Sequence, residues 1–207
     1  MIQADLLKKM SAVTGEKGIP SPLSAGKDPF SVLVGTVISL RTRDSVTGPV
    51  TERVVNRAPD PETMASMDPG ELALLLRPAG FFNRKAHQLI GIAGMLLRDY
   101  GGMVPGTREE LEALPGVGGK TAAFVLSMGF GIPAVCVDVH VHRISNRLGI
   151  VSTATPDETE NALMNIFPKD LWIPLNHVFV RFGQRVCLPR NPRCSTCPFN
   201  DWCKNAS

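Results

Sequence analysis

No apolar run in these 207 residues is long enough to cross a membrane. The longest, Phe30 to Leu40, falls far short of the roughly 20 residues a spanning helix needs. The start, Met1-Ile2-Gln3-Ala4-Asp5, lacks the basic segment and apolar stretch of a secretion signal. Membrane and secreted classes are disfavoured, and a cytoplasmic location is expected. Net charge is small, a formal +3, which permits an anionic partner without demanding one. Repeats, low-complexity tracts and long linkers are missing. Cysteine is missing from the first 186 residues apart from Cys136, which sits in an apolar run and reads as inert packing.

Apolar residues make up 43% of the chain, enough for one large domain or two small ones. Asp60-Pro61, Asp68-Pro69 and Thr155-Pro156 each place a capping residue before proline at the first helical position. Glu71 and Glu158 stand where a third helical residue reaches back to its cap, and Thr107 with Glu110 repeats the spacing before a helix ending near Ala113. From Asn83 to Tyr100, Ala86, Leu89, Ile90, Ala93, Leu96 and Leu97 form one face of a helix. Pro133 to Val137 reads as a short strand, but no partner strand is evident. The fold class is therefore all-α.

The central chemical signal is Leu114-Pro115-Gly116-Val117-Gly118-Gly119-Lys120-Thr121-Ala122. A glycine-rich turn between two helices lets backbone amides approach an anion, and the second helix adds its positive end. A Walker A loop is excluded, because no glycine precedes the Gly-Lys pair at the required distance. Lys120 opens the second helix, where an amine is a candidate nucleophile. Asp138, in Val137-Asp138-Val139-His140, is a helix cap, a positioned carboxylate, or both. The helix from His140 to Leu148 carries Arg143 and Arg147 one turn apart, spaced to pair with acids or phosphates. Beyond Asp170 the tail carries Arg181, Arg185, Arg190, Arg193 and Lys204 against the single acid Asp201, a local basic surface suited to a polyanion. Cys187, Cys194, Cys197 and Cys203 follow the pattern Cys-x6-Cys-x2-Cys-x5-Cys. In a reducing compartment such a cluster reads as ligands, and four thiolates suit zinc or a [4Fe–4S] cluster.

Together these features resemble endonuclease III, a DNA glycosylase family of the helix-hairpin-helix superfamily, from about Pro29-Phe30 to Cys203. The resemblance implies a two-domain helical fold. A six-helix barrel would span 23–132 and carry the helix-hairpin-helix at about 107–129. Residues 1–22 and 133–207 would form the iron–sulfur domain, with its cluster loop at 187–203. It also implies base excision repair: removal of oxidised pyrimidines of the thymine glycol type from duplex DNA, then β-elimination at the abasic site. DNA would lie across the cleft between the domains with the damaged base flipped out, since the target C1′ is inaccessible in a stacked duplex. Lys120 matches the nucleophile and Asp138 the catalytic carboxylate. Cys187, Cys194, Cys197 and Cys203 match the [4Fe–4S] ligands. Gly116, Val117, Gly118, Gly119, His140, Arg190 and Arg193 match DNA contacts. The expected partner is double-stranded DNA carrying damaged bases or abasic sites. A nucleoid-associated monomer in a prokaryotic-type cell is expected.

Some positions depart from the family. Arg41 stands where glutamine is usual and Phe81 where a leucine wedge is usual, both in segments assigned to the gap left by the flipped base. Gly119 replaces a basic residue, which weakens the charge of the hairpin. Val139 replaces threonine, a change expected to affect packing only. Two rivals compete with the bifunctional reading. A monofunctional adenine or thymine mismatch glycosylase lacks the lysine, and the adenine enzyme carries glutamate where Thr36 falls. A non-catalytic DNA-binding or redox-sensing iron–sulfur module would use the same hairpin and cluster without cleaving DNA.

Overall fold

The computed structural model describes residues 2–16, 18 and 27–205, so residue 23, where the barrel is expected to begin, lies outside them. The described backbone is helical, with no strand. The helices are α1 (Ile2–Val13), α2 (Pro29–Ser39), α3 (Asp44–Arg57), α4 (Pro61–Ser66), α5 (Pro69–Leu76), α6 (Phe82–Tyr100), α7 (Arg108–Ala113), α8 (Gly119–Gly129), α9 (Val139–Arg147), α10 (Pro156–Ile166) and α11 (Trp172–Arg185). The stretch from Pro133 to Val137 runs as irregular chain with buried side chains at Val135, Cys136 and Val137. Its backbone is tied down by Asn176, which donates to the Cys136 carbonyl at 2.9 Å.

Helix starts follow elementary capping chemistry. Asp60 accepts from the Thr63 amide, Asp68 from Gly70 and Glu71, Thr107 from Glu110, and Thr155 from Glu158. Each removes one or two of the unpartnered amides that every helix start exposes. Of the three expected return reaches, Glu110 makes contact with its cap residue Thr107, whereas Glu71 and Glu158 do not. Glu71 turns instead to Arg57, with 2.8 Å between charged atoms. The Glu110 carboxylate accepts the Thr107 hydroxyl at 2.7 Å, and Glu158 accepts the Ala154 amide at 2.8 Å. Each carboxylate takes the strongest donor within range, and the cap residue's own amide is not that donor.

The chain divides into two compact units, residues 1–24 with 133–207 and residues 25–132. In the second unit α6 packs on α4 and α5, and α2 on α3 and α8. The buried stripe of α6 is Lys85, Ala86, Leu89, Ile92, Ala93 and Leu96. Ile90 and Leu97 flank it half-buried, and a lysine occupies a position the apolar pattern does not flag. In the first unit α11 receives α1 and α9, and its Phe179 and Phe182 join Leu7, Met10, Val141 and Ile144 in one core. Phe182 meets Phe199 edge-to-face with ring centroids 5.7 Å apart. That contact anchors the cysteine-bearing tail to α11 by apolar burial and ring geometry.

Candidate functional site

The Gly-rich turn between α7 and α8 is built as a backbone cradle. Gly116 has φ +70, a left-handed conformation that disfavours any Cβ, and a Cβ there would also lie 2.6 Å from the Gln88 amide nitrogen. Gln88 itself donates to the Pro115 carbonyl at 2.9 Å, bracing the turn from α6. Val117 is buried and its amide donates to the Leu114 carbonyl at 3.1 Å, so side chain and backbone both hold the hairpin together. Gly118 precedes α8 in extended conformation, and no side chain caps this helix. Its first-turn amides and positive end are thus presented to an anion, with Lys120 exposed in the same turn.

Glycine at position 119 does not leave the hairpin without a cation. A Cβ on Gly119 would meet the Arg108 guanidinium at 2.6 Å, so the first residue of α7 fills the volume a side chain at 119 would take. Arg108 is held there by Glu112 at 2.7 Å, which offsets part of its charge. Sequence spacing gives no sign of this, because the two residues meet only when the hairpin closes.

Arg41 and Phe81 come together. The Arg41 guanidinium carbon lies 5.6 Å from the Phe81 ring centroid, and both side chains are exposed, Phe81 to 59%. Phe81 therefore does not pack in the core beside Phe82, whose ring instead carries Arg77 at 4.8 Å.

In the other unit Asp138 caps α9. Its Oδ1 accepts the backbone amides of both His140 and Val141 at 2.9 Å, which leaves Oδ2 outside the cap. Val139 beside it is 72% exposed, so its departure from threonine alters a surface and not packing, contrary to expectation. His140 is half-buried with Nδ1 3.1 Å from the Arg143 guanidinium. Arg143 and Arg147 direct their donors to backbone carbonyls, and Asp138 adds only a Coulombic attraction on Arg143. Arg143 donates to the Cys187 carbonyl at 2.9 Å, and Arg147 to the carbonyls of Leu188 at 2.7 Å and Pro189 at 2.8 Å. Burial holds the Arg143 guanidinium below its ordinary pKa, with the neighbouring Cys187 thiol opposing that shift.

Cys187, Cys194, Cys197 and Cys203 line one space, together with Arg147, Leu148, Phe182, Val186 and Arg193. None of the four is in a disulfide, and Cys136 is buried elsewhere. Burial pushes the Cys197 thiol up. Its backbone hydrogen bond at Phe199 pulls the other way, and the three neighbouring thiols add to the rise. That mutual repulsion is what a cationic core relieves. A zinc ion about 2.3 Å from each sulfur would draw four thiolates to within about 3.8 Å of one another. Four thiols around one shared space suit such an ion or an iron–sulfur cluster. Arg190 and Arg193 are exposed on the short loop that closes this space.

Comparison with known proteins gives concordant matches. The HhH-GPD superfamily of base excision DNA repair proteins matches residues 34–169, and the iron–sulfur binding domain of endonuclease III matches 187–203. Endonuclease III of Thermotoga maritima is 47% identical over 177 residues, covering 86% of this chain and 83% of that protein. Endonuclease III of Bacillus subtilis is 36% identical over 178 residues, covering 86% and 81%. Among solved structures, a trapped endonuclease III–DNA covalent intermediate superposes with TM-score 0.87 at 33% identity, covering 97% of this chain and 93% of that one. A thermostable thymine-DNA glycosylase gives 0.83 at 25%, covering 96% and 94%. The matched cysteine segment is where this chain holds a [4Fe–4S] cluster.

Proposed function

Because this chain belongs to the endonuclease III family of the HhH-GPD superfamily of base excision DNA repair proteins, we propose that it excises oxidised pyrimidines of the thymine glycol type from duplex DNA and then cleaves the abasic strand. The observation that carries this reading is Lys120, exposed in the uncapped first turn of α8 directly after the glycine cradle. Backbone amides of Gly116, Gly118 and Gly119 bind DNA phosphate there, Val117 serves by holding the turn with its amide on the Leu114 carbonyl, and Arg190 and Arg193 add contacts from the cluster loop.

Lys120 Nζ attacks C1′ of the damaged nucleotide. The N–C1′ bond forms as the glycosidic bond breaks, and the base leaves with its bonding pair. Asp138 takes the amine's proton and balances the positive charge developing on the sugar. Opening of the C1′–O4′ bond, with a proton to O4′, gives the iminium. This cation acidifies the 2′ hydrogen, whose loss expels the 3′ phosphate and cuts the strand. Water then hydrolyses the imine and restores Lys120. His140, beside Asp138, contributes a DNA contact.

The [4Fe–4S] cluster supplies structural cross-linking of the tail and no redox step in this scheme. Cys187, Cys194, Cys197 and Cys203 are its ligands. Likeness to a trapped covalent endonuclease III–DNA intermediate supports the imine route. The adenine-mismatch alternative needs a carboxylate at Thr36, but this residue is buried with its hydroxyl donating to the Val32 carbonyl at 2.7 Å.

The test is borohydride trapping on duplexes carrying thymine glycol, uracil, an abasic site, or adenine opposite 8-oxoguanine. Adducts and strand cleavage on thymine glycol and abasic duplexes, lost in Lys120→Gln, are the expected result. Base release without adduct would instead make the chain monofunctional. Binding without any cleavage would make it a non-catalytic module.

A further inference from the structure

Lys85 is 4% exposed, on the stripe of α6 that packs against the rest of its unit. A lysine is almost never buried to this extent unless its ammonium is partnered. Its Nζ donates to the Ile38 carbonyl at 2.6 Å and to the Thr42 hydroxyl at 2.7 Å. Ile38 lies in the last turn of α2, where carbonyls have no acceptor role left inside the helix and favour a cation. The two acceptors bracket Leu40 and Arg41, and Thr42 donates its amide back to Ser39 at 3.0 Å. Lys85 thus closes the end of α2 and holds the turn on which Arg41 stands.

That turn is unusual. Arg41 has φ 53, a left-handed conformation that a side-chain-bearing residue adopts only when its surroundings impose it. Phe81, across from it, has φ 57. The two backbones touch: a Cβ on Gly80 would lie 2.6 Å from the Arg41 carbonyl oxygen. The Phe81 segment has its own brace, since Arg53 donates to the carbonyls of Leu75 and Arg77. Two strained turns, each pinned by a cation from a packed helix, present an exposed guanidinium stacked beside an exposed ring.

We propose that Lys85 is a positioning residue that sets Arg41 and Phe81 as one preformed probe of the base left opposite the extruded nucleotide, and so determines opposite-base preference. This rests on the assignment of Arg41 and Phe81 to the vacated gap. A guanidinium carries donors only, so the base it reads must offer acceptors. The orphaned base turns its Watson–Crick edge to the gap, where cytosine offers N3 and O2 as neighbouring acceptors, whereas adenine sets its single acceptor N1 beside an amino donor that repels the guanidinium. The probe therefore ranks cytosine above adenine.

The experiment uses the full cluster-bearing chain and four variants: Lys85→Met, Thr42→Val, Thr42→Ser and Gly80→Ala. Binding is measured to duplexes with an abasic analogue opposite each of the four bases. Borohydride trapping on single-stranded abasic DNA, which has no opposite base, reports whether the rest of the molecule is intact. Wild type is expected to bind the cytosine duplex at least about fivefold tighter than the adenine duplex. Lys85→Met, Thr42→Val and Gly80→Ala bring that ratio close to one, Thr42→Ser keeps it, and trapping on single strands changes less than about twofold. Should Lys85→Met fail to fold, the Thr42 pair decides alone, because threonine and valine are isosteric and serine restores the acceptor. A wild-type ratio of one, a ratio unchanged in Thr42→Val, or a parallel loss of trapping on single strands overturns the proposal. Wild type that discriminates opposite bases but traps nothing would refute the lyase reading and leave this one standing.

Discussion

Arg143 of α9 donates to the backbone carbonyl of Cys187 at 2.9 Å, joining residues 44 positions apart. One turn later Arg147 adds the Leu188 and Pro189 carbonyls and approaches the Cys187 sulfur at 3.7 Å. Cys203 in turn lies with its sulfur 3.5 Å from the Arg147 carbonyl. A helix that begins on Asp138 therefore ends by holding both the first and the last cysteine of the cluster segment.

Replacing Arg147 by methionine keeps most of the side-chain stem and removes the donors. Hydrogen bonds involving a charged group contribute about 1.5–3 kcal/mol each in favourable cases. The Arg147→Met holoprotein should unfold at lower urea, by an amount within that range, and its visible iron–sulfur absorbance should bleach faster in air. Denaturation followed at visible and far-UV wavelengths measures both effects.

Asp138→Asn separates capping from catalysis. Asparagine caps helices about as well as aspartate and can accept the same His140 and Val141 amides. The thermal midpoint should therefore stay near wild type. Single-turnover base release should fall about 100- to 10,000-fold, the usual contribution of a positioned acid or base. A rate close to wild type would leave Asp138 as a cap alone.

Phe81→Ala should weaken binding to an abasic-analogue duplex about five- to hundredfold, since stacking on a base contributes roughly 1–3 kcal/mol. Undamaged duplex should be affected much less. Arg41→Ala should flatten opposite-base preference. A guanidinium that touched only phosphate would instead lower affinity evenly across sequences and reduce the salt slope by about one. Titrations at two salt concentrations distinguish these outcomes.

Burial holds the Lys85 ammonium below its ordinary pKa of 10.5. Between the folded value and 10.5 the unfolded chain binds more protons than the folded one, so stability from this group rises as pH climbs through that window. At lower pH both states are protonated and the contribution is flat. The stability difference between wild type and Lys85→Met should therefore shift toward wild type as pH approaches 10.5, and remain constant near neutrality. Urea midpoints of both proteins across that range test the sign.

The local grammar was legible from residues a few positions apart. Asp60, Asp68, Thr107 and Thr155 cap the helices they precede, the Leu114–Ala122 turn joins two helices, and the apolar stripe of α6 runs where its period places it. The four cysteines were recognisable as one ligand set from spacing and compartment, and the structure brings them around one space. Interactions of these kinds depend on backbone geometry repeated in every protein, so short-range pattern is enough to find them.

Other features needed the packed chain. Lys85 looks like any lysine on a helix, and only the arrival of the α2 terminus gives its ammonium two acceptors and makes its burial tolerable. Arg108 sits beside Gly119 because a hairpin closes, Glu71 abandons its cap because Arg57 comes within 2.8 Å, and Arg41 meets Phe81 across forty positions. By itself the sequence determined the all-α class, the capped starts at Asp60, Asp68, Thr107 and Thr155, the glycine turn between two helices and the set of thiols. Tertiary structure decided which charged groups meet. Charge pairing and burial depend on distances through space that connect residues far apart in the chain, and no local period encodes those distances.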